Sequence, residues 1–133
     1  MATLVTKNST TFSANDILLI QAVTGVGIQT EYMRITASLG GGSYTVTRDL
    51  AGAYAPNANP TWGAGTVITK IGSSDGAATY SGGFLRLFGE GTNSPYYSVF
   101  SRTGVAYNAY SERIRLGNLN GIGSIVAEAY GIF

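Results

Sequence analysis

The side chains with the clearest capacity for recognition in this chain are aromatic rings and amides. They concentrate between positions 93 and 110, as Asn93, Tyr96, Tyr97, Tyr107, Asn108 and Tyr110. Trp62 follows a loop with two prolines and could add a further ring. Aromatic faces stack on sugar rings or on protein partners, and amides bond hydroxyl groups. The group predicts contact with a glycan or a partner protein, although tyrosines that fill a core or a groove between strands explain the same pattern more simply.

Carboxylates are the second kind of side chain that could do chemistry. Glu31, Asp49, Glu90 and Glu112 could be drawn into pairs for general acid and base catalysis. A glycosidase needs two carboxylates roughly 5 to 10 Å apart across a cleft that holds sugar, and a chain of 133 residues offers little room for such a groove. Asp16 and Asp49 stand beside strand ends, where a carboxylate accepts hydrogen bonds from loose backbone amides. We therefore predict turn, cap and ion-pair roles for the carboxylates.

Composition excludes most enzyme classes and cofactors. The chain has no Cys and no His, which removes disulfide frameworks, thiolate and imidazole metal sites, and Ser-His or Cys-His relays. Residues 89–91 and 121–123 are glycine-rich, but they lack the third glycine and the following helix that a phosphate-binding loop requires. We predict a protein that is not an enzyme and holds no cofactor and no metal.

Charge and hydropathy limit the possible partners. Lys and Arg number 8 and Asp and Glu number 7, so the net charge is +1, and no basic run is present to bind a phosphate backbone. The longest apolar-leaning stretch, residues 17–30, is interrupted by Gln21, Gly25 and Gly27 and is too short to span a bilayer. The first six residues lack the basic and apolar regions of a signal peptide. Nucleic-acid binding, membrane insertion and secretory export are not expected.

The periodicity of the chain is that of β-strands, because apolar residues come in short runs or strict alternation between turns rich in glycine or asparagine. Strands are predicted over residues 18–20, 31–36, 44–48, 67–71, 84–88, 97–100 and 112–116, with a further one near 125–127. Gly40–Gly42 predicts a hairpin turn, and Pro56 and Pro60 exclude an inner strand from residues 51–62. A short helix over residues 109–116 is the alternative to the strand at 112–116.

A domain boundary is predicted at Gly72–Gly76, which is small, polar and flexible. The expected fold is all-β, with a small β-barrel or sandwich over residues 1–72 and an extended, β-rich, trimer-forming assembly segment over residues 73–133. Strands in the second segment look apolar on both faces, yet the segment is too rich in glycine to build two layers for itself. Copies of the chain would supply the missing layer. The predicted assembly interface consists of Phe84, Phe88, Phe100, Leu116 and Phe133.

Several phrases of the sequence occur in a recognisable order. The first segment contains Phe12-Ser-Ala-Asn-Asp16-Ile-Leu, Glu31-Tyr-Met-Arg-Ile35, Tyr44-Thr-Val-Thr-Arg-Asp-Leu50 and Trp62-Gly-Ala-Gly-Thr66. The second contains Gly82-Gly-Phe-Leu-Arg-Leu-Phe-Gly89, Ser94-Pro-Tyr-Tyr and Arg115-Leu-Gly-Asn-Leu-Asn-Gly121. Together they resemble small β-domains, and the segment that follows them, in tail fibres and tail-tip proteins of bacteriophages and prophages.

The resemblance implies a non-enzymatic structural protein of the virion tail, assembled in the bacterial cytoplasm. Its partners would be itself, as a homotrimer, other virion proteins, and a glycan of the host surface. Tail-fibre chains are usually much longer than this one, which puts in doubt any role that depends on the rest of a fibre. Two other functions stay open, namely a carbohydrate-binding adhesion module that uses the aromatic group and a capsid decoration protein.

Overall fold

A computed structural model describes residues 2–6, 11–25, 27–56, 58–127 and 129–133, and its regular structure is entirely β. Its strands are β1 (Ala2–Val5), β2 (Asp16–Thr24), β3 (Gly27–Gly40), β4 (Ser43–Thr47), β5 (Val67–Ser74), β6 (Tyr80–Ser81), β7 (Gly83–Phe88), β8 (Tyr96–Arg102), β9 (Tyr110–Asn118) and β10 (Tyr130–Ile132). They form two antiparallel sheets, which confirms the all-β prediction. Within the described ranges no helix is long and apolar enough to cross a bilayer.

The first sheet has the order β1-β4-β3-β2-β5-β6. Its β2 and β3 pair continuously from Ile17 opposite Arg34 to Thr24 opposite Gly27. The turn between β3 and β4 consists of Gly40–Gly42, whose φ angles are 83°, 59° and 77°. These angles lie in the left-handed region that glycine adopts without steric cost. The predicted glycine hairpin is therefore confirmed.

One face of the first sheet carries a hydrophobic core. Leu18 of β2 lies opposite Met33 of β3, and alternation places every second residue of these strands on the same side. The buried core residues are Phe12, Leu18, Ile20, Met33, Ile35, Tyr44 and Val46. Phe12 packs its ring edge-on against Tyr44, with 5.7 Å between the ring centroids. Partly buried side chains from β1, β5 and a loop pack against this core, namely Ala2, Leu4, Trp62 and Ile68.

Of the predicted barrel or sandwich, the barrel is wrong, because the first sheet stays open. Strands β1 and β6 lie at opposite edges of the sheet and do not pair with each other. Strand β6 is only Tyr80–Ser81, after which the chain enters the second sheet. The core face is instead covered in part by the Phe12 segment and the Trp62 loop. The first sheet also continues past residue 72, since residues 72–74 belong to β5 and β6 follows.

In the second half, one predicted strand is absent, and the choice between strand and helix at residues 109–116 is decided for the predicted strand. Residues 125–127 contain no strand, because the chain turns at Gly121 and Gly123, where φ is 85° and 55°. The Gly121 N–H donates to the Ile125 carbonyl at 2.8 Å and closes this loop. Residues 110–118 form strand β9, which pairs with β8, so the helical alternative is also wrong.

The second sheet has the order β10-β9-β8-β7 and is joined to the first by Arg102. Arg102 ends β8, is 5% exposed, and donates to the carbonyls of Ile71 and Tyr107 at 3.3 Å and to that of Ala106. The ring of Tyr107 also lies 4.7 Å from that of Tyr32 in β3. These contacts hold one end of the second sheet against the first.

Candidate functional site

Alternation along its strands gives the second sheet one aliphatic face and one face on which aromatic rings lie beside arginines. Residues directly opposite each other in antiparallel strands project their side chains to the same face. One row across the sheet consists of Leu87, Tyr97, Leu116 and Ile132, and the next consists of Leu85, Val99 and Ile114. We name these seven residues the outer face. The first row crosses all four strands, and the second crosses β7, β8 and β9.

The outer face is accessible to solvent in the single chain. The exposed fractions are 60% for Leu85, 75% for Leu87, 46% for Ile114, 50% for Leu116 and 76% for Ile132. A charged neighbour, Arg113, lies toward one end and donates to the Ser101 hydroxyl at 2.6 Å. Scattered exposed hydrophobic side chains are normal on a monomer, whereas a contiguous patch marks an interaction surface. The outer face is therefore a candidate interaction surface.

The opposite side of the second sheet carries a cluster of aromatic rings. We name it the inner aromatic cluster; it consists of Phe84, Phe88, Tyr96, Phe100 and Tyr110. Phe84 stacks on Phe100 at 5.0 Å and Phe88 stacks on Tyr96 at 4.4 Å between centroids. Tyr110 meets Phe84 and Phe100 edge-on at 5.0 and 5.6 Å. Such pairs contribute about 0.5–1.5 kcal/mol each beyond the area they bury, so the cluster stabilises the sheet that carries it.

Part of the inner aromatic cluster faces the chain's own first sheet. Phe84 and Tyr110 lie across a small cleft of about 160 Å³ from Tyr32 and Ile71. Burial, with smaller contributions from the neighbouring Tyr110 and Tyr107, raises the pKa of Tyr32. The inner side of the second sheet therefore has a partial cover within the chain. Among the residues that the structure describes, the outer face has no such cover apart from Leu85, which borders the same cleft.

Charged side chains lie on the rings of the inner aromatic cluster. The guanidinium carbon of Arg86 is 4.3 Å from the centroid of Phe88, and that of Arg115 is 3.9 Å from the centroid of Tyr96. Arg115 also forms a two-point ion pair with Glu112 at 2.8 and 2.9 Å. Partial burial opposes ionisation of Glu112, but hydrogen bonds from Arg115 and Ser98 hold its pKa below the usual value. These arginines occupy ring faces that a sugar would otherwise use.

The structure does not gather the seven predicted glycan or partner contacts into one site. Tyr96 and Tyr110 belong to the inner aromatic cluster, whereas Tyr97 lies on the outer face. Tyr107 packs on Tyr32. The remaining residues lie elsewhere, with Asn93 at a turn where φ is 66°, Asn108 exposed in a loop and Trp62 on the first sheet.

The predicted assembly residues divide between the two faces of the second sheet. Phe84, Phe88 and Phe100 are half-buried in the inner aromatic cluster. Leu116 lies on the outer face. Phe133 follows β10, exchanges two backbone hydrogen bonds with Arg115 and is 63% exposed. The sequence prediction missed the other exposed aliphatic residues of the outer face, namely Leu85, Leu87, Ile114 and Ile132. The repeat of leucine at every second position in β7 is the signal that could have identified them.

A second polar centre lies in the first sheet, around Glu31. This residue is 1% exposed. Its carboxylate accepts from Arg48 Nε at 2.9 Å and Nη2 at 2.5 Å, from the Asp49 N–H at 3.1 Å and from Trp62 Nε1 at 2.6 Å. Arg48 Nη2 also donates to the Pro60 carbonyl at 2.5 Å. Glu31 therefore attaches both ends of the loop between β4 and Trp62 to strand β3.

Other carboxylates hold turns, as predicted. Asp49 accepts from the N–H groups of Ala53 and Tyr54 at 2.8 and 3.0 Å. Asp16 accepts from the Ser13 N–H at 3.0 Å and forms an ion pair with Lys70 at 2.8 Å. The structural roles expected for Asp16 and Asp49 are confirmed.

The first sheet also carries a concave surface. Beside Trp62 lies a mostly apolar groove of about 580 Å³, lined among others by Leu4, Phe12, Ile20 and Ile68. In the part of the chain that the structure describes, no three acidic residues lie close enough together to hold a metal ion.

Comparison with known proteins finds no family model, no curated protein and no solved structure that matches this chain. The resemblance to phage tail proteins therefore stays a prediction from the sequence.

Proposed function

We propose that the chain is a non-enzymatic structural protein of a phage tail fibre or tail tip, which assembles with copies of itself through its second sheet. Its location in the virion tail and its contacts with other virion proteins follow from the resemblance. Its self-assembly is inferred from the exposed aliphatic face of the second sheet.

The observation that carries this proposal is that residues of the separate sequence phrases contact one another. Glu31, from the second phrase, bonds Arg48 of the third and Trp62 of the fourth. The Phe12 N–H of the first phrase donates to the Tyr44 hydroxyl of the third at 3.1 Å. If the phrases belong to one β-domain, they are expected to meet in one folded unit. Their polar groups form hydrogen bonds that stabilise this unit. This supports both the resemblance and a structural role.

The second sheet supports association with copies of the chain. The aliphatic face of the second sheet is exposed and would gain from burial, and the first sheet covers only part of the aromatic inner side. The proposal that three copies associate comes from the resemblance alone.

Location is tested by immunogold labelling of phage particles with an antibody raised against the chain. We expect labels on tail fibres or tail tips. Labels on heads would support a capsid decoration protein instead, and particles without labels would overturn the virion assignment.

Self-assembly is tested separately, by light scattering of the purified chain. We expect a mass near three times 13.8 kDa. A chain that stays monomeric at tens of micromolar would overturn self-assembly and leave the location to be decided by labelling.

A carbohydrate-binding module has less support from the geometry. The aromatic residues predicted for it are dispersed over three surfaces, and Arg115 covers the ring of Tyr96. Binding to a glycan array that is lost in both Tyr96→Ala and Tyr97→Ala would restore this alternative.

A further inference from the structure

We infer that the outer face, rather than the inner aromatic cluster, is the surface through which copies of this chain contact one another. The inference rests on the proposed self-assembly and names the residues that would carry it. In the assembly, the outer faces of neighbouring copies pack against each other, so that Leu85, Leu87, Ile114, Leu116 and Ile132 become buried.

The size of the outer face fits such a contact. Its exposed fractions, taken together with the 64% exposed Tyr130 at its edge, correspond to on the order of 700 Å² of accessible surface. The largest apolar patch of a typical monomer is about 300–600 Å², and each partner in a standard interface contributes about 800 Å². The patch is therefore large for a monomer and close to one partner's share of a stable interface.

The chemistry of the outer face makes a copy of the same chain a suitable partner. Its seven residues carry no charge, so two or three such faces meet without like-charge repulsion. Arg113 at one end already bonds Ser101. A charged partner would find no complementary group among the seven residues, whereas an identical apolar face gains hydrophobic burial.

One row of the outer face spans the sheet from edge to edge, from Leu87 on β7 to Ile132 on β10. Stacked sheets pack about 10 Å apart when side chains of their facing sides interdigitate. The inner aromatic cluster is less suited to this role, because its rings contact one another, Arg86 and Arg115, and part of the first sheet.

Lysine substitutions with matched controls test the inference on the full chain. Leu87→Lys and Ile132→Lys place a charge on the outer face. Leu39→Lys and Ile28→Lys make the same replacements at positions of β3 that are 59% and 72% exposed. We expect light scattering to give the monomer mass for the first pair, with at least a 100-fold weaker association, and the wild-type mass for the second pair. Because all four side chains are exposed in the single chain, circular dichroism should show an unchanged fold.

The outcomes separate this inference from the proposed function. A wild-type chain that is monomeric overturns both self-assembly and the outer-face contact. A wild-type oligomer that persists in Leu87→Lys and Ile132→Lys overturns the outer-face contact alone. The outer-face contact alone is also overturned if Leu39→Lys and Ile28→Lys dissociate as readily as the outer-face variants. It is likewise overturned if Phe88→Ala dissociates while Leu87→Lys does not. Monomeric wild-type chain that floats with phosphatidylcholine vesicles would assign the face to a lipid surface and overturn the inference.

A direct proximity measurement adds a positive test. The chain has no Cys, so Leu116→Cys labelled with a pyrene maleimide carries the only label. We expect excimer emission that disappears on dilution, and none from Leu39→Cys. Excimer emission from the Leu39→Cys chain alone would contradict the assignment.

Discussion

The indole N–H of Trp62 donates a hydrogen bond of 2.6 Å to Oε2 of Glu31, a residue 31 positions earlier in the chain. The same oxygen accepts a hydrogen bond of 2.5 Å from Nη2 of Arg48, which stands at the beginning of the intervening loop. One buried carboxylate therefore closes a long loop over the core of the first sheet. The loop needs this attachment because its prolines exclude it from the ladder of the sheet.

Glu31→Gln should lower the free energy of unfolding by about 3 kcal/mol. The amide leaves the Arg48 guanidinium without its counter-ion in a largely buried place, and breaking such a pair is costly. Urea denaturation followed by the fluorescence of Trp62, the only tryptophan in the chain, measures the change. Glu90→Gln, at an exposed position, should change stability by less than about 0.5 kcal/mol. Equal effects of the two substitutions would contradict the role assigned to Glu31.

Gly72→Ala should destabilise the chain by roughly 3 kcal/mol, from backbone strain and crowding together. Gly72 has a φ of 109°, and a Cβ there would lie 2.5 Å from Arg102 Cδ and 2.8 Å from the Ser81 carbonyl oxygen. Thermal unfolding of the variant beside Gly63→Ala provides the comparison, since a Cβ at residue 63 meets no atom within 4 Å. If both alanine variants melt at the wild-type temperature, the close contact between the sheets at Gly72 is refuted.

Arg102→Lys should also lower stability, by about 3 kcal/mol. The guanidinium donates to three carbonyl groups, which a single ammonium cannot reach together, and a buried acceptor left unpaired costs about 1–3 kcal/mol. Arg113→Lys makes the same change at an exposed arginine and should be nearly neutral. Chemical denaturation of both variants checks this, and a neutral Arg102→Lys would show that the carbonyl contacts do not hold the sheets together.

Stability should stay level between about pH 6 and 8 and fall in acid, below roughly pH 4. Hydrogen bonds from the Thr79 hydroxyl and three backbone N–H groups lower the pKa of Asp75. Burial opposes ionisation of Asp16, but Lys70, Ser13 and Ser73 lower its pKa overall. A carboxylate with a lowered pKa in the folded state contributes stability above its unfolded pKa and loses it as the pH falls through the folded one.

Melting temperatures measured from pH 2 to 8 test this dependence. We expect a shift of less than about 5 °C between pH 6 and 8, where no His titrates. A melting temperature that rises on acidification would have the wrong sign for lowered carboxylate pKa values.

The candidate surface was predictable in part. Alternation in residues 84–88 and 96–100 indicated strands that are apolar on both faces. The registers of β7, β8 and β9 give one aliphatic face, whereas the other carries Arg86, Ser98 and Arg115 between its aromatic rings. The predicted interface nevertheless favoured phenylalanines, because large rings gain most from burial. In the structure the rings of Phe84, Phe88 and Phe100 find partners in their own chain. The aliphatic residues of the outer face are exposed, and so is Phe133.

Seven of the ten strands that the structure describes, the glycine turn and the lack of His or Cys chemistry could be predicted from the sequence, whereas β1, β6 and β10 could not. The Gly40–Gly42 turn and the strand pattern of residues 31–36 depend on neighbours along the chain, so local rules suffice for them. The cover of each face does not follow from such rules. Alternation creates two faces for every strand, but which one becomes buried depends on the sheet that packs against it. Three features were decided in this way: the first sheet stays open with β1 and β6 at its two edges, Arg102 is buried, and Leu87 is exposed. Each depends on packing between residues that are distant in the sequence.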